Sequence, residues 1–387
     1  MPLKSLAGSR RVRDKPMKIT EITIDVIERT APAVHVQDER NDLGGITTQG
    51  VLRVRTEDGL EGHAFVGDQA GDSTQRMELI IRNLKPVMMG RDSSDREWLW
   101  NQLPVISGHG GALEPVWAPL DVALWDIEGK AANTPVHKLL GTARTEVPLY
   151  ATYPPRHGTA AGFVEEALQL KAEGFRAYKI HPGPLSARDA AATAEKVREA
   201  VGDEMTLMLD RNHGYDFRAA LFVGHALDAN GFYWFEDPVP VSDVESIREL
   251  TRRLDTPLNM SDTSEFLLHE AANFLQLGAV RLIRGTVRKI GITGLKKQMS
   301  LVEGFNRVCE IGLAGNSALN AANLHVMMSS LNCTYFEYWL PKTVHQWGVI
   351  SQLEINENGN LDAPTGPGLG IELDEDWIAS HRVATLS

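Results

Sequence analysis

The stretch Met205-Thr-Leu-Met-Leu-Asp210 is an apolar run that ends on an acid, and the same pattern returns twice. It recurs as Phe232-Tyr-Trp-Phe-Glu236 and as Pro257-Leu-Asn-Met-Ser-Asp262, each acid standing 26 residues after the last. A helix-like segment follows each run. Successive parallel strands of a (β/α) barrel end on one rim, and barrel enzymes keep their chemistry there. A single acid after a strand is commonly a helix N-cap, but three in register are hard to explain that way. Three carboxylates on one rim repel unless a cation holds them, and all-oxygen ligation suits a hard ion such as Mg²⁺. Asp210, Glu236 and Asp262 are therefore the candidate metal ligands.

The repeat extends in both directions. Strands are expected at Val147 to Ala151, Ala177 to His181, Thr206 to Asp210, Tyr233 to Glu236, Leu258 to Ser261, Val280 to Ile283, Val308 to Leu313 and Tyr335 to Tyr338. Alanine- and leucine-rich helical segments lie between them, which predicts a slightly degenerate barrel over residues 146–362. Upstream, Ile19 to Val26 alternates in hydropathy, and Gly50 to Gly59 reads as a strand into an Asp-Gly turn with a return strand at Leu60 to Val66. A polar loop, Ala31 to Gly45, separates these strands, and residues 74–140 have helical period. Residues 17–145 thus form an α+β domain. The tail, 363–387, is too rich in turn residues for an eighth helix and is expected to return to that domain. Residues 1–16 read as a disordered leader.

Composition narrows the function. The 387 residues carry a net charge of −12 and no basic stripe with interleaved aromatics, which argues against nucleic acid as a partner. No apolar run approaches the ~20 residues of a membrane span, and the basic, polar start lacks the apolar stretch of a secretory signal. Two cysteines imply no disulfide framework, so a cytoplasmic location is the default.

Six fragments together resemble the enolase superfamily in its mandelate racemase branch. They are Leu124-Trp-Asp-Ile-Glu-Gly-Lys130 with Leu139-Leu-Gly141, Gly174-Phe-Arg-Ala-Tyr-Lys-Ile-His181, Asp210-Arg-Asn212, Glu236-Asp-Pro238, Lys289-Ile-Gly-Ile-Thr-Gly294 and Pro367-Gly-Leu-Gly370. The match runs from about Met17 to the end. The resemblance implies a modified (β/α)7β TIM barrel under an α+β capping domain built from the N-terminal region and the C-terminal tail. It also implies an essential Mg²⁺ and abstraction of the proton α to a carboxylate. By alignment with the branch's Lys-x-Lys motif, His181 takes the position of the base, and Lys179 that of the lysine near the substrate carboxylate. Two apart on a strand, both face the barrel interior. An imidazole, with an ordinary pKa near 6.5, is well populated as a base at neutral pH. Asn212, Glu337, His213, Arg284 and His35 are candidate substrate contacts, and His109 a weaker one.

The chain departs from the pattern in three places. The Lys-x-Lys motif ends in His181. The aspartate and histidine of the opposite-face dyad fall on Thr286 and Ser317. The last metal ligand, normally glutamate, is Asp262, with Glu265 three residues on as a rival. Losing the dyad argues against a two-base racemase and for a Mg²⁺-dependent lyase that dehydrates a sugar acid. The alternatives are an epimerase or sugar-lactone cycloisomerase, and a non-catalytic relative that binds Mg²⁺ and a carboxylate. A homo-oligomer acting on a small-molecule sugar acid is expected.

Overall fold

The computed structural model describes residues 16–34, 43–67, 71–106, 116–260 and 268–387. Eight parallel strands close into a barrel: β4 (Glu146–Thr152), β5 (Ala177–Ile180), β6 (Thr206–Asp210), β7 (Trp234–Glu236), β8 (Leu258–Met260), β9 (Leu282–Gly285), β10 (Val308–Ile311) and β11 (Phe336–Trp339). Each pairs with the next, and β11 pairs back onto β4 through Phe336 and Leu149, so the sheet has no free edge. The expected modified TIM barrel is what forms. Strand limits differ from the expectation by at most two residues, and β6 runs from Thr206 to Asp210 as expected. The helices α6 (Ala160–Ala172), α7 (Ala187–Val201), α8 (Phe217–Ala229), α9 (Val244–Arg253), α10 (Leu268–Gln276), α11 (Val287–Gly304) and α12 (Ser317–Met328) alternate with the strands. A short strand, β12 (Asn360–Asp362), lies antiparallel to β4.

The floor of the barrel is a packed plug of Tyr150, Ala177, Met208, Trp234 and Leu282, one inward residue from each of five strands. Alternation along each strand then sets what stands above it: Lys179 above Ala177, Asp210 above Met208, Glu236 above Trp234 and Arg284 above Leu282. The outward residues of the same strands join the main core beneath the helices.

Ahead of the barrel, β1 (Ile19–Val34), β2 (Leu43–Thr56) and β3 (Glu61–Val66) form an antiparallel sheet. The first two run further than their apolar alternation predicts, because Ala31 pairs with Gly45 and Val34 with Leu43 inside what reads as a polar loop. The helices α1 (Thr74–Leu79), α2 (Lys85–Met88), α3 (Arg96–Ile106), α4 (Ala118–Ala131) and α5 (Val136–Leu140) follow, a π turn over Ile80–Leu84 joining the first two. After β12 the chain returns to this sheet: α13 (Glu375–His381) leads into β13 (Arg382–Leu386), which pairs antiparallel with β1.

Two joints seat α4, one holding the tail against the cap and the other holding the cap against the barrel helix α11. Asp126 on α4 accepts from the backbone N–H of His63 on β3 and of Leu369 in the tail (3.1 and 2.9 Å) and pairs with Lys130 at 2.7 Å. The tail can approach only because both surfaces are glycine, since a Cβ on Gly129 would stand 2.5 Å from Gly368 Cα. Asp121, also on α4, accepts from the backbone N–H of Thr293 at 2.9 Å and its hydroxyl at 2.6 Å, where α11 kinks at Gly291 (φ +62°). Burial pushes the Asp121 carboxyl up to about 6, partly offset by those two hydrogen bonds. Three of the six motif fragments, those around Asp126, Gly291 and Gly368, thus serve the joints.

Candidate active site

Asp210 and Glu236 are the last residues of β6 and β7, in register with one another and almost wholly buried. They are not helix caps. Asp216 caps α8, accepting from Ala219 N at 2.8 Å, and Asp243 caps α9 by accepting from Ser246 N. With the capping role taken by other residues, the two strand-end carboxylates are left to the barrel interior.

There they converge on a cation. The ammonium of Lys179 lies 3.4 Å from Asp210 Oδ2, 3.2 Å from Glu236 Oε2 and 2.8 Å from Glu337 Oε1. Arg284 reaches the outer oxygens of two of these, with Nε 3.0 Å from Glu236 Oε1 and a terminal nitrogen 2.8 Å from Glu337 Oε2. Further donors hold the acids in place: the Trp234 indole donates to Glu236 (3.0 Å), Leu313 N to Glu337 (2.6 Å), and Asn212 N to Asp210 Oδ1 (2.9 Å). Burial alone would raise every carboxyl here. For Asp210 the charge of Lys179 outweighs it and holds the group well below its ordinary range, and for Glu337 Lys179 and Arg284 bring it to about 2. For Glu236 burial outweighs the pull of Arg284 and Lys179, and the group is raised from its ordinary value. Lys179 loses solvation too, yet the carboxylates of Glu236 and Glu337 keep it charged well above its ordinary pKa.

His181 stands just beyond β5. Its Nδ1 lies 2.7 Å from the carbonyl of Tyr153 and 3.0 Å from Thr152 Oγ1, whose own hydrogen goes to the carbonyl of Lys179. Both neighbours therefore act as acceptors, and Nδ1 carries the proton. That leaves Nε2, 3.1 Å from Asp210 Oδ2, as the nitrogen that faces the site. The Trp339 ring packs against the imidazole at 5.6 Å.

The other candidates divide. Glu337 and Arg284 join the cluster through their side chains, whereas Asn212 touches it through its backbone, at φ +51°. His213 turns away from the cluster, its Nδ1 3.1 Å from the carbonyl of Val239 and its Nε2 3.4 Å from Asp237. Asp262, Glu265, His35 and His109 lie outside the described residues. Thr286 follows β9 as the N-cap of α11, its hydroxyl 3.3 Å from the carbonyl of Leu313. Composition and motif did not single out Thr152, Trp339, Tyr150, Asn259 or Glu310. Period-two alternation along β4, β8, β10 and β11 would have placed each of them beside a residue that was found.

Among the described residues no group of three His, Cys, Asp or Glu side chains is arranged to hold a metal ion. The chemistry of the donor set nevertheless fits one. Asp210, Glu236 and Glu337 set three carboxylates against two fixed cations, and the point between Asp210 and Glu236 already accommodates positive charge in the form of Lys179. Asp262 follows the neighbouring strand by two residues.

Two family models match, "Enolase C-terminal domain-like" over residues 162–377 and "Mandelate racemase / muconate lactonizing enzyme, N-terminal domain" over residues 35–141. The chain belongs to the mandelate racemase/muconate lactonizing enzyme family of the enolase superfamily. Within that family it is similar to an arabinonate dehydratase of Saccharolobus solfataricus, 28% identical over 361 residues that cover 90% of this chain and 95% of the relative. It is also 25% identical to a 3,6-anhydro-α-L-galactonate cycloisomerase of Streptomyces coelicolor, over 86% of this chain and 91% of that one. The crystal structure of a D-glucarate dehydratase from Agrobacterium tumefaciens, complexed with magnesium, superposes with a TM-score of 0.85 at 29% identity, covering 96% of this chain and all of the other. The relatives thus include both dehydratases and cycloisomerases of sugar acids. No helix among the described residues is long and apolar enough to cross a membrane.

Proposed function

We propose that this protein is a Mg²⁺-dependent acid-sugar dehydratase in which His181 is the base. The observation that carries the reading is the fixed orientation of His181: Nδ1–H is committed to Tyr153 and Thr152, so Nε2 is the nitrogen turned toward the carboxylate cluster. Asp210 and Glu236, with Asp262 from the next strand end, would hold the ion. Bound there, the ion makes the negative charge that builds on the substrate carboxylate less costly.

The chain's own residues account for the rest. Lys179, paired with Glu337, would serve as the cation for the substrate carboxylate, and Arg284 anchors Glu337 through its second oxygen. Nε2 of His181 takes the proton from C2, the C2–C3 double bond forms, and the C3–O bond breaks. The departing hydroxyl leaves as water with the proton that the imidazolium returns. The resulting enol tautomerises to a 2-keto-3-deoxy acid. Acid and base then act from one face, which suits a chain with Thr286 and Ser317 in place of a second-face dyad. The same loss leaves a two-base racemase without its second base.

The test is a panel of aldonic and aldaric acids incubated with the protein and Mg²⁺, read for 2-keto product and, in D2O, for exchange at C2. Keto product without epimer is expected. Exchange with epimer, or a rearranged lactone, and no keto product would make the protein an isomerase. Tight Mg²⁺-dependent binding with neither signal would make it non-catalytic.

A further inference from the structure

Outside the carboxylate cluster, a second buried anion stands next to the machinery. Glu166, on α6, is 4% exposed although it sits on a barrel helix. Three side chains converge on its two oxygens. The Tyr178 hydroxyl donates to Oε1, and Arg156 Nε (2.5 Å) and His157 Nε2 (2.9 Å) meet at Oε2. Burial raises such a carboxyl, but the hydrogen bonds from His157 and Tyr178 and the charge of Arg156 hold it below its ordinary range, so it stays an anion.

Arg156 and His157 belong to the loop between β4 and α6, and this loop carries Tyr153, whose carbonyl receives Nδ1–H of His181. The Arg156 guanidinium also covers the Tyr153 ring, at 3.6 Å from its centre. Other contacts pin the loop at its far side. His157 lies edge-on to Phe163 and so close to α6 that a Cβ on Gly162 would stand 2.5 Å from its Nδ1. The loop is thus held by one anion through two cationic or polar side chains, and it presents the Tyr153 carbonyl to His181.

We propose that Glu166 and Arg156 form a brace that positions the Tyr153 carbonyl and so fixes the tautomer and aim of His181. Neither residue touches the site, so both are positioning residues. The catalytic consequence rests on the reading of His181 as base, whereas the structural one does not. Without the brace the carbonyl is free to swing, Thr152 Oγ1 alone accepts Nδ1–H, and the proton is no longer confined to the nitrogen that faces away from substrate.

Arg156 is the place to test it, because its side chain is 30% exposed and so accessible to added solute. In Arg156→Ala, kcat should fall about 10- to 100-fold through misplacement of the base, with KM nearly unchanged. Arg156→Lys should keep part of the activity, and free guanidinium should restore part of it to Arg156→Ala. A merely structural arginine would lower activity only through lost folded protein, and guanidinium, a denaturant, would worsen that loss. A second readout needs no turnover: in protein labelled with ¹⁵N-histidine, the His181 ring should show the Nδ1–H tautomer, and Arg156→Ala should show a mixture. Glu166→Gln should give the same mixture. An unchanged His181 tautomer in folded Arg156→Ala and Glu166→Gln would overturn the brace. If the wild type turns over no acid sugar but the tautomer shifts in the variants, the brace stands and the proposed reaction falls.

Discussion

Replacing Lys179 with methionine separates the role of its charge in the fold from its role at the site. The ammonium touches Glu337, Glu236 and Asp210 at 2.8, 3.2 and 3.4 Å. At such separations each contact is worth roughly 5 kcal/mol of Coulomb attraction at an effective dielectric of about 20, most of it offset by the cost of taking four charges out of water. Deleting one member of a buried ion cluster nevertheless costs about 3–5 kcal/mol, because the others are left uncompensated. Lys179→Met should lose that much in metal-free buffer. A bound divalent ion stabilises any protein by an amount set by its excess over Kd, about 2.7 kcal/mol at a hundredfold excess. In the wild type the ion has to displace an ammonium from between Asp210 and Glu236; in the variant that position holds no charge. At one fixed Mg²⁺ concentration the stabilisation should therefore be larger in Lys179→Met than in the wild type. Urea unfolding followed by tryptophan fluorescence, in EDTA and in MgCl2, measures both quantities. A metal-free loss under about 1 kcal/mol, well short of the cost of stranding buried carboxylates, would refute the reasoning. So would a smaller Mg²⁺ shift in the variant.

Three other outcomes are expected. His181→Asn should lower kcat about 10²–10⁴-fold with KM little changed, since a general base acts on the transition state and not on the bound anion; steady-state kinetics decide it, and retained C2 exchange in D2O would transfer the base to Lys179. Asp210→Asn, Glu236→Gln and Asp262→Asn should each weaken Mg²⁺ binding in calorimetry by about 10-fold or more, whereas Glu265→Gln should not; the reverse pattern for the last two would make Glu265 the ligand. Buried His325, pushed down from 6.5 to about 4 by burial, accepts from His137 N through its Nδ1 at 3.1 Å. The unfolded chain takes up this proton below pH 6.5 and the folded one resists until about 4, so stability falls as pH drops through that window, by about 3 kcal/mol at its acid end. His325→Gln should flatten that part of the urea midpoint's pH dependence, and an equal slope in both proteins would sink the assignment.

How much of this was legible in the sequence follows from periodicity. Asp210 and Glu236 repeat because each strand–helix unit has nearly constant length, and Lys179 and His181 pair because a strand repeats every two residues. Glu337 followed from the family resemblance, and Arg284 from its place two residues before Thr286. What stayed hidden is three-dimensional. That Lys179 sits among the acids depends on where β5, β6, β7 and β11 close around one axis. The Tyr153 carbonyl is backbone and leaves no mark in composition. Glu166 reads as a solvated helix residue until Tyr178, from the outer face of β5, meets it. In the motifs around Asp126 and Gly291 the resemblance was carried by residues that hold the tail to the cap and the cap to the barrel, so they spoke for the fold more than for the reaction.

The pairing of β13 with β1 has a consequence for synthesis. Asp25 lies opposite Thr385, so β1 leaves the ribosome some 360 residues before its outer edge is covered. During that interval β1 offers unpaired backbone groups over Ile24 to Ile27, a ready template for another nascent chain. The barrel gains nothing from its own early completion in this respect, because the missing partner is made after it. Loss of the 382–386 segment would leave the reaction centre untouched and the newborn protein exposed to strand-for-strand association.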